Sequence, residues 1–234
     1  MPAEVRPARS AARFGWRAVA LGLVLTVAAA SFGLLLFAVQ DAWGPLLRLD
    51  EDARDGLHRV ALANAGAVTV LEVLSVIGSA VVYVPLFAGV AVHLGRQGRR
   101  RAAVFVAVVT IGSTLLNLLV KEVVHRARPV LDDPVASAAG LSFPSGHAQS
   151  AIVAVSVLVL AFSVRRPAAL VAGAAFVLAV GVARVGLGVH YVSDVLAGYV
   201  LGAAWVAGTY GLLLGFTVRS PAARSSARTA PRGR

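Results

Sequence analysis

The chain has 234 residues, 58% of them hydrophobic and only 14% charged, with a mean hydropathy of +0.80, a balance that excludes an ordinary soluble domain. It has no cysteine, which excludes a disulfide, a cysteine-ligated zinc and a thiol nucleophile. The net charge of +11 would suit a nucleic-acid partner, but the cations are spread in a way that points to a bilayer instead.

Residues 1–17 read as a basic tail with Arg6, Arg9, Arg13 and Arg17. A first apolar span covers 18–39. Its Ala28–Ala30 stretch resembles a signal-peptide cleavage site, but a run of about 22 residues favours a retained helix. Residues 40–72 form the longest connection, made acidic by Asp41, Asp50, Glu51, Asp52 and Asp55. Leu57, Val60, Ala61, Ala65 and Val68 fall at helical spacing within it, so an interfacial helix and a solvated linker both fit. Further spans are read at 73–94, 102–120, 148–164, 168–185 and 195–218. Each is close to the length that crosses about 30 Å of hydrocarbon at 1.5 Å per residue. The runs are too long for strands and lack period-two alternation. Residues 219–234, rich in Ser, Ala, Pro and Arg, read as a disordered basic tail. The expected architecture is an all-α, polytopic bundle of six transmembrane helices over 18–218.

Cation placement then sets the orientation. The two tails, the 96–101 connection and Arg165–Arg166 hold 15 of the 22 Lys and Arg residues, with Glu4 as the only acid. By the positive-inside rule both termini are cytoplasmic, in a plasma (inner) membrane protein, and nucleic acid is not an expected partner.

Three polar stretches sit at the ends of these spans: KEVVHRARP (121–129), PSGH (144–147) and RVGLGVHYVSD (184–194). Alternating span directions carry Lys121, Arg128, His147, Arg184, His190 and Asp194 to one depth near the outer face. Ionisable groups at such positions are costly unless they have a role. Three cations suit a phosphate monoester, whose oxygens Arg binds in a fork. Pro144-Ser145-Gly146 makes a turn and an N-cap, with free N–H groups that cradle an anion. His190 and Asp194, at i and i+4, share a helix face, and the carboxylate can fix one ring tautomer. A metal ion is not expected among so many cations.

The ordered pattern Lys121-x6-Arg128-Pro129, Pro144-Ser145-Gly146-His147, Arg184-x5-His190-x3-Asp194 resembles the type 2 phosphatidic acid phosphatase family. That family includes membrane lipid phosphate phosphatases, glucose-6-phosphatase and soluble vanadium haloperoxidases. The resemblance implies a metal-independent, cofactor-free phosphatase acting on a membrane lipid phosphate or diphosphate at the outer face. His190 is then the nucleophile that forms a phosphohistidine, Asp194 orients it, and His147 is the general acid and base. Lys121, Arg128 and Arg184 hold the phosphoryl oxygens with Ser145 and Gly146, and Arg126 is a candidate contact for a second phosphate. The favoured substrate on this analogy is undecaprenyl or another polyprenyl diphosphate, with phosphatidic acid or phosphatidylglycerol phosphate as alternatives. Non-catalytic lipid phosphate binding or transport is the rival class, disfavoured by the complete His147, His190 and Asp194 set. The chain departs from the family at Ala183, where Ser is usual before the third-motif Arg. His125 has no assigned role.

Overall fold

The computed structural model describes residues 7–215, with side chains from 15 to 213. The expected disordered tail at 219–234 and the last residues of the sixth span lie outside the described residues. There is no strand among those described, which form a bundle of eight α-helices. These are α1 (Pro7–Gln40), α2 (Gly44–Leu62), α3 (Ala65–Ile77), α4 (Ala80–Arg96), α5 (Arg100–Val124), α6 (Gly146–Ala161), α7 (Pro167–Gly186) and α8 (Val192–Tyr210), the last running into a π turn at Gly211–Gly215.

Among the described residues, five segments are long and apolar enough to cross a membrane: Gly15–Gln40, Ala65–Arg96, Arg100–Val124, Pro167–Gly186 and Val192–Leu213. Helix α6 has the right composition but only 16 residues, about 24 Å. It is enclosed by α4, α5, α7 and α8 and buries Ala148, Ala151, Val153, Val157 and Ala161. The core lies between α4, α5, α6 and α8, where Tyr83, Phe87, Leu94, Phe105, Val106, Val109, Val153, Val157 and Val206 meet. Large apolar side chains such as Leu34, Phe37, Val81, Leu115, Leu119 and Val171 face outward, as they do where the surrounding solvent is lipid.

Three boundaries differ from the sequence reading. Residues from Pro7 already belong to α1, so most of the expected tail extends the first helix. The acidic connection contains a full helix, α2, which starts at Gly44 with Pro45 in its first turn and packs on α7 and α8. The second span is broken. Gly78 ends α3 and Ser79, in extended backbone, starts α4, with the Ser79 hydroxyl donating to Val76 O. A Cβ at Gly78 would stand 2.7 Å from Val180 Cγ1, so the break falls where α3 crosses α7.

Close helix contacts rest on glycine. Trp205 lies against Gly112 and donates Nε1 to Val109 O at 3.2 Å. A Cβ at Gly198 on α8 would stand 2.5 Å from the backbone oxygen of Ser145, at the start of α6. Backbone cannot yield as a side chain does, so Gly198→Ala is expected to cost about 1–3 kcal/mol and lower the melting temperature in detergent. Gly22→Ala on the open face of α1, where nothing lies within 4 Å, serves as the neutral control.

Candidate active site

The polar motifs meet at one end of the bundle. Lys121 lies in the last turn of α5, His147 in the first turn of α6, Arg184 in the last turn of α7, and Asp194 in the first turn of α8. Backbone bonds stitch the connecting segments together: Ser142 N donates to Arg126 O at 2.8 Å, and Ser145 N donates to Asp194 O at 2.9 Å. The Phe143–Pro144 peptide is cis.

Asp194 is the hub. Its Oδ1 accepts from Arg126 at 2.7 Å. Its Oδ2 accepts from Tyr191 N at 2.9 Å, from His190 Nδ1 at 3.3 Å and from the Ser142 hydroxyl. The Tyr191 contact is a capping-box bond that starts α8, so one carboxylate caps the helix and holds the imidazole. Arg128 Nη1 stands 3.0 Å from His190 Nε2. A guanidinium only donates, so Nε2 is the acceptor and the ring proton sits on Nδ1, facing Asp194. His190 is almost wholly buried, and burial pushes its pKa down to about 4. The Asp194 bond resists that fall, while the Arg128 and Arg184 charges add to it.

The cations are held by the chain's own carbonyls. Lys121 Nζ donates to Leu141 O and, at 3.4 Å, to Ser142 O. Arg128 donates to Gly140 O at 3.0 Å, Val189 O at 2.7 Å and Ala139 O at 3.2 Å, and burial lowers its pKa, partly offset by Asp194. Arg184 is buried and donates Nη1 to the Ser75 hydroxyl of α3, while its Nε has no partner among the described residues. Lys121, Arg128, Gly146, His147 and His190 line one cavity of about 220 Å³. Ser145 is fully buried and caps α6, its Oγ accepting from Ala148 N at 3.5 Å. Ala183 is fully buried on α7. His125 takes a left-handed conformation as the cap that ends α5 and is otherwise exposed. Among the described residues, no group of three His, Asp or Glu side chains is placed to hold a metal ion.

Arg126 does not line the cavity. Its guanidinium spans two buried carboxylates, 2.8 Å from Asp50 and 2.7 Å from Asp194, with its side chain only 10% exposed. It also lies over the Tyr191 ring, 4.2 Å from the centroid. Burial opposes its charge, but the Asp194 and Asp50 carboxylates more than offset that and hold its pKa above the ordinary value. Asp50, on α2, is fully buried and accepts from Ser193 N at 2.9 Å and from the Ser193 hydroxyl. In the sequence Asp50 reads as one of several solvated acids. The available signal is its place on the same helical stripe as Leu46, Leu57 and Ala61. Ser142, Ser193 and Ser75 also join the site unannounced, and nothing in their local sequence marks them.

Removing one partner of a buried ion pair typically costs about 3–5 kcal/mol. Asp50→Ala is therefore expected to lower the melting temperature strongly. Asp50→Asn, which keeps an acceptor for Ser193 N–H, should fall in between. An Asp50→Ala protein as stable as wild type would show that the buried pair does not support the fold.

Comparison with known proteins places this geometry. A segment of the chain is 38% identical over 96 residues to phosphatidylglycerophosphatase B of Bacillus subtilis (strain 168), covering 38% of this chain. The match spans 46% of that relative's length, under half of it. The crystal structure of the first transmembrane PAP2 type phosphatidylglycerolphosphate phosphatase, from Bacillus subtilis, superimposes with a TM-score of 0.70 at 24% identity. That alignment covers 82% of this chain and 98% of the other, and shows a shared fold. Residues 102–216, which carry all three motifs from Lys121 to Asp194, match the PAP2 superfamily, to which this segment of the chain belongs.

Proposed function

We propose that the protein is an integral membrane phosphatase that hydrolyses a lipid phosphate monoester without a metal ion. The observation that carries this reading is the His190 arrangement at the cavity wall: Asp194 on Nδ1, and an unprotonated Nε2 with Arg128 3.0 Å from it. A site built only for binding needs the cations but has no use for an oriented, neutral imidazole.

In the first step Nε2 attacks phosphorus in line. The N–P bond forms as the P–O bond to the lipid alcohol breaks, and His147 gives its proton to the departing oxygen. In the second step His147 takes a proton from water, the oxygen attacks phosphorus, the N–P bond breaks and inorganic phosphate leaves. Lys121 and Arg128, which line the cavity, hold the phosphoryl oxygens, joined by the free N–H groups at Gly146 and the start of α6, while Arg184, buried on the Ser75 hydroxyl, adds its positive charge. The Ser145 hydroxyl supports this indirectly, as the cap of that helix.

Phosphatidylglycerol phosphate is the leading substrate, by analogy with the Bacillus subtilis relatives. A polyprenyl diphosphate would call for a contact to its second phosphate. The candidate for that contact, Arg126, is committed to Asp50 and Asp194, which favours a monoester. The chain is read as crossing a plasma membrane six times, with α6 as the sixth, shorter crossing, both termini on the cytoplasmic side, and the site at the outer face. The sequence supports this orientation, because 15 of the 22 Lys and Arg residues fall in the two tails, the 96–101 connection and Arg165–Arg166.

Purified protein is expected to release phosphate from phosphatidylglycerol phosphate in excess EDTA, and orthovanadate is expected to inhibit it. His190→Ala should lower kcat by at least about 10³-fold. Strict dependence on a divalent metal, or normal turnover in His190→Ala, would refute the mechanism.

The pH profile gives a separate check. Only neutral imidazole attacks, and burial holds His190 neutral down to about 4. Activity limited by this group is therefore lost as pH falls through about 4, not through 6.5. A kcat/KM profile, which reports the free enzyme, with its acid limb near 6.5 would count against the buried nucleophile.

A further inference from the structure

Beyond its cations the cavity continues one to two turns along α5, past Asn117 and Thr114 to Ser113, against Gln149 and Ser150 of α6. Amides and hydroxyls this far into an apolar bundle are costly unless bonded. Most are bonded. Gln149 Nε2 donates to Ser113 O at 2.9 Å and to Ser113 Oγ at 2.8 Å. Asn117 Nδ2 donates to Gln149 Oε1 at 2.7 Å and to Pro144 O at 3.4 Å.

These bonds fix the direction of both amides. A backbone carbonyl only accepts, so the Gln149 nitrogen must face Ser113 O. Its oxygen must then face Asn117, which must present nitrogen in return. The Pro144 carbonyl demands the same orientation. Asn117 Oδ1 is thereby turned away from the network, and no donor among the described residues bonds it. The residue is only 8% exposed and lines the cavity. Its Oδ1 would be 3.2 Å from a Cβ at Gly146, so it stands beside the residue that precedes His147. Asn117 is also one helical turn from Lys121 on the same face of α5.

We infer that Asn117 Oδ1 accepts a hydrogen bond from a hydroxyl of the leaving alcohol, next to the carbon that carries the phosphate ester. The protein therefore selects phosphate esters of a polyol head group over esters whose alcohol has no such hydroxyl. The placement comes from the in-line geometry. The leaving oxygen lies opposite His190 and beside His147, and the alcohol chain leads from there past Gly146 and Asn117. A glycerol head group brings a hydroxyl donor to that point. Phosphatidate and polyprenyl phosphates bring none. The inference rests on the phosphatase reading of the site and adds a specificity residue to it.

The test uses a matched pair of lipids in detergent micelles: phosphatidylglycerol phosphate, and its analogue in which hydrogen replaces the 2-hydroxyl of the head-group glycerol. For wild-type protein, kcat/KM is expected to favour the hydroxyl substrate by about tenfold, the worth of one buried hydrogen bond. In Asn117→Leu the ratio should fall toward one, and Asn117→Ala gives the same reading from a smaller change. The wild-type ratio stands without either variant. A wild-type ratio near one overturns the inference while leaving the phosphatase reading intact. A high ratio that persists in an active Asn117 variant overturns it too, because another group would be reading the hydroxyl. If wild-type protein hydrolyses neither lipid but releases phosphate from phosphatidate, the inference falls and the phosphatase reading stands; if it hydrolyses none of the three, both fall.

Discussion

A buried carboxylate is tolerable only when its lone pairs are bonded, and Asp194 meets that demand with donors drawn from several parts of the chain at once. The bonds that stabilise its charge come from Arg126, Ser142, His190 and the Tyr191 backbone. Those donors belong to the segment after α5, the turn before α6 and the start of α8. Satisfying one charge therefore draws the three motifs together. The same bonds choose the tautomer of His190 and begin α8. Helix packing brings these ends near one another, and the carboxylate sets their final distances.

Arg126 extends the arrangement to a fourth segment. One guanidinium between two carboxylates leaves a net negative group, which the Ser193 donors help to stabilise, while the Tyr191 ring face supports the guanidinium itself. Asp50 stands at the far end of this chain of contacts, on α2, outside the segment that matches the family. The N-terminal part of the protein thus contributes to the geometry of a site whose recognisable motifs all lie downstream.

Much of this was legible in the residues. The apolar runs gave α1, α4, α5, α7 and α8 to within a few residues over most of their ends, because burial in lipid leaves a long compositional trace. The same alternation of directions predicted that Lys121, His147, Arg184, His190 and Asp194 would meet, and their helix ends do meet. Contacts that depend on tertiary packing were not legible. The break at Gly78 falls against Val180, on a helix far along the chain. Arg126 looks like a free cation in the sequence because its partner Asp50 lies in a stretch of acids that resemble solvated surface. The orientation of the Asn117 amide is set by the Pro144 carbonyl and by Gln149 of α6, which the Ser113 carbonyl orients in turn, and no local pattern records it.

The long reach of the Asp50 contacts has a consequence for assembly. Asp50 meets Arg126 across 76 positions and Ser193 across 143. A chain made from its N-terminus exposes Asp50 first, Arg126 next and Asp194 last. The first two charges can neutralise each other while α8 is still being synthesised. A complete charge network then has to wait for the final helix. Completion of the site's charge network is therefore a late event in biogenesis, arriving only when α8 is in place, and a chain interrupted before α8 would hold Asp50 and Arg126 paired but without their third member.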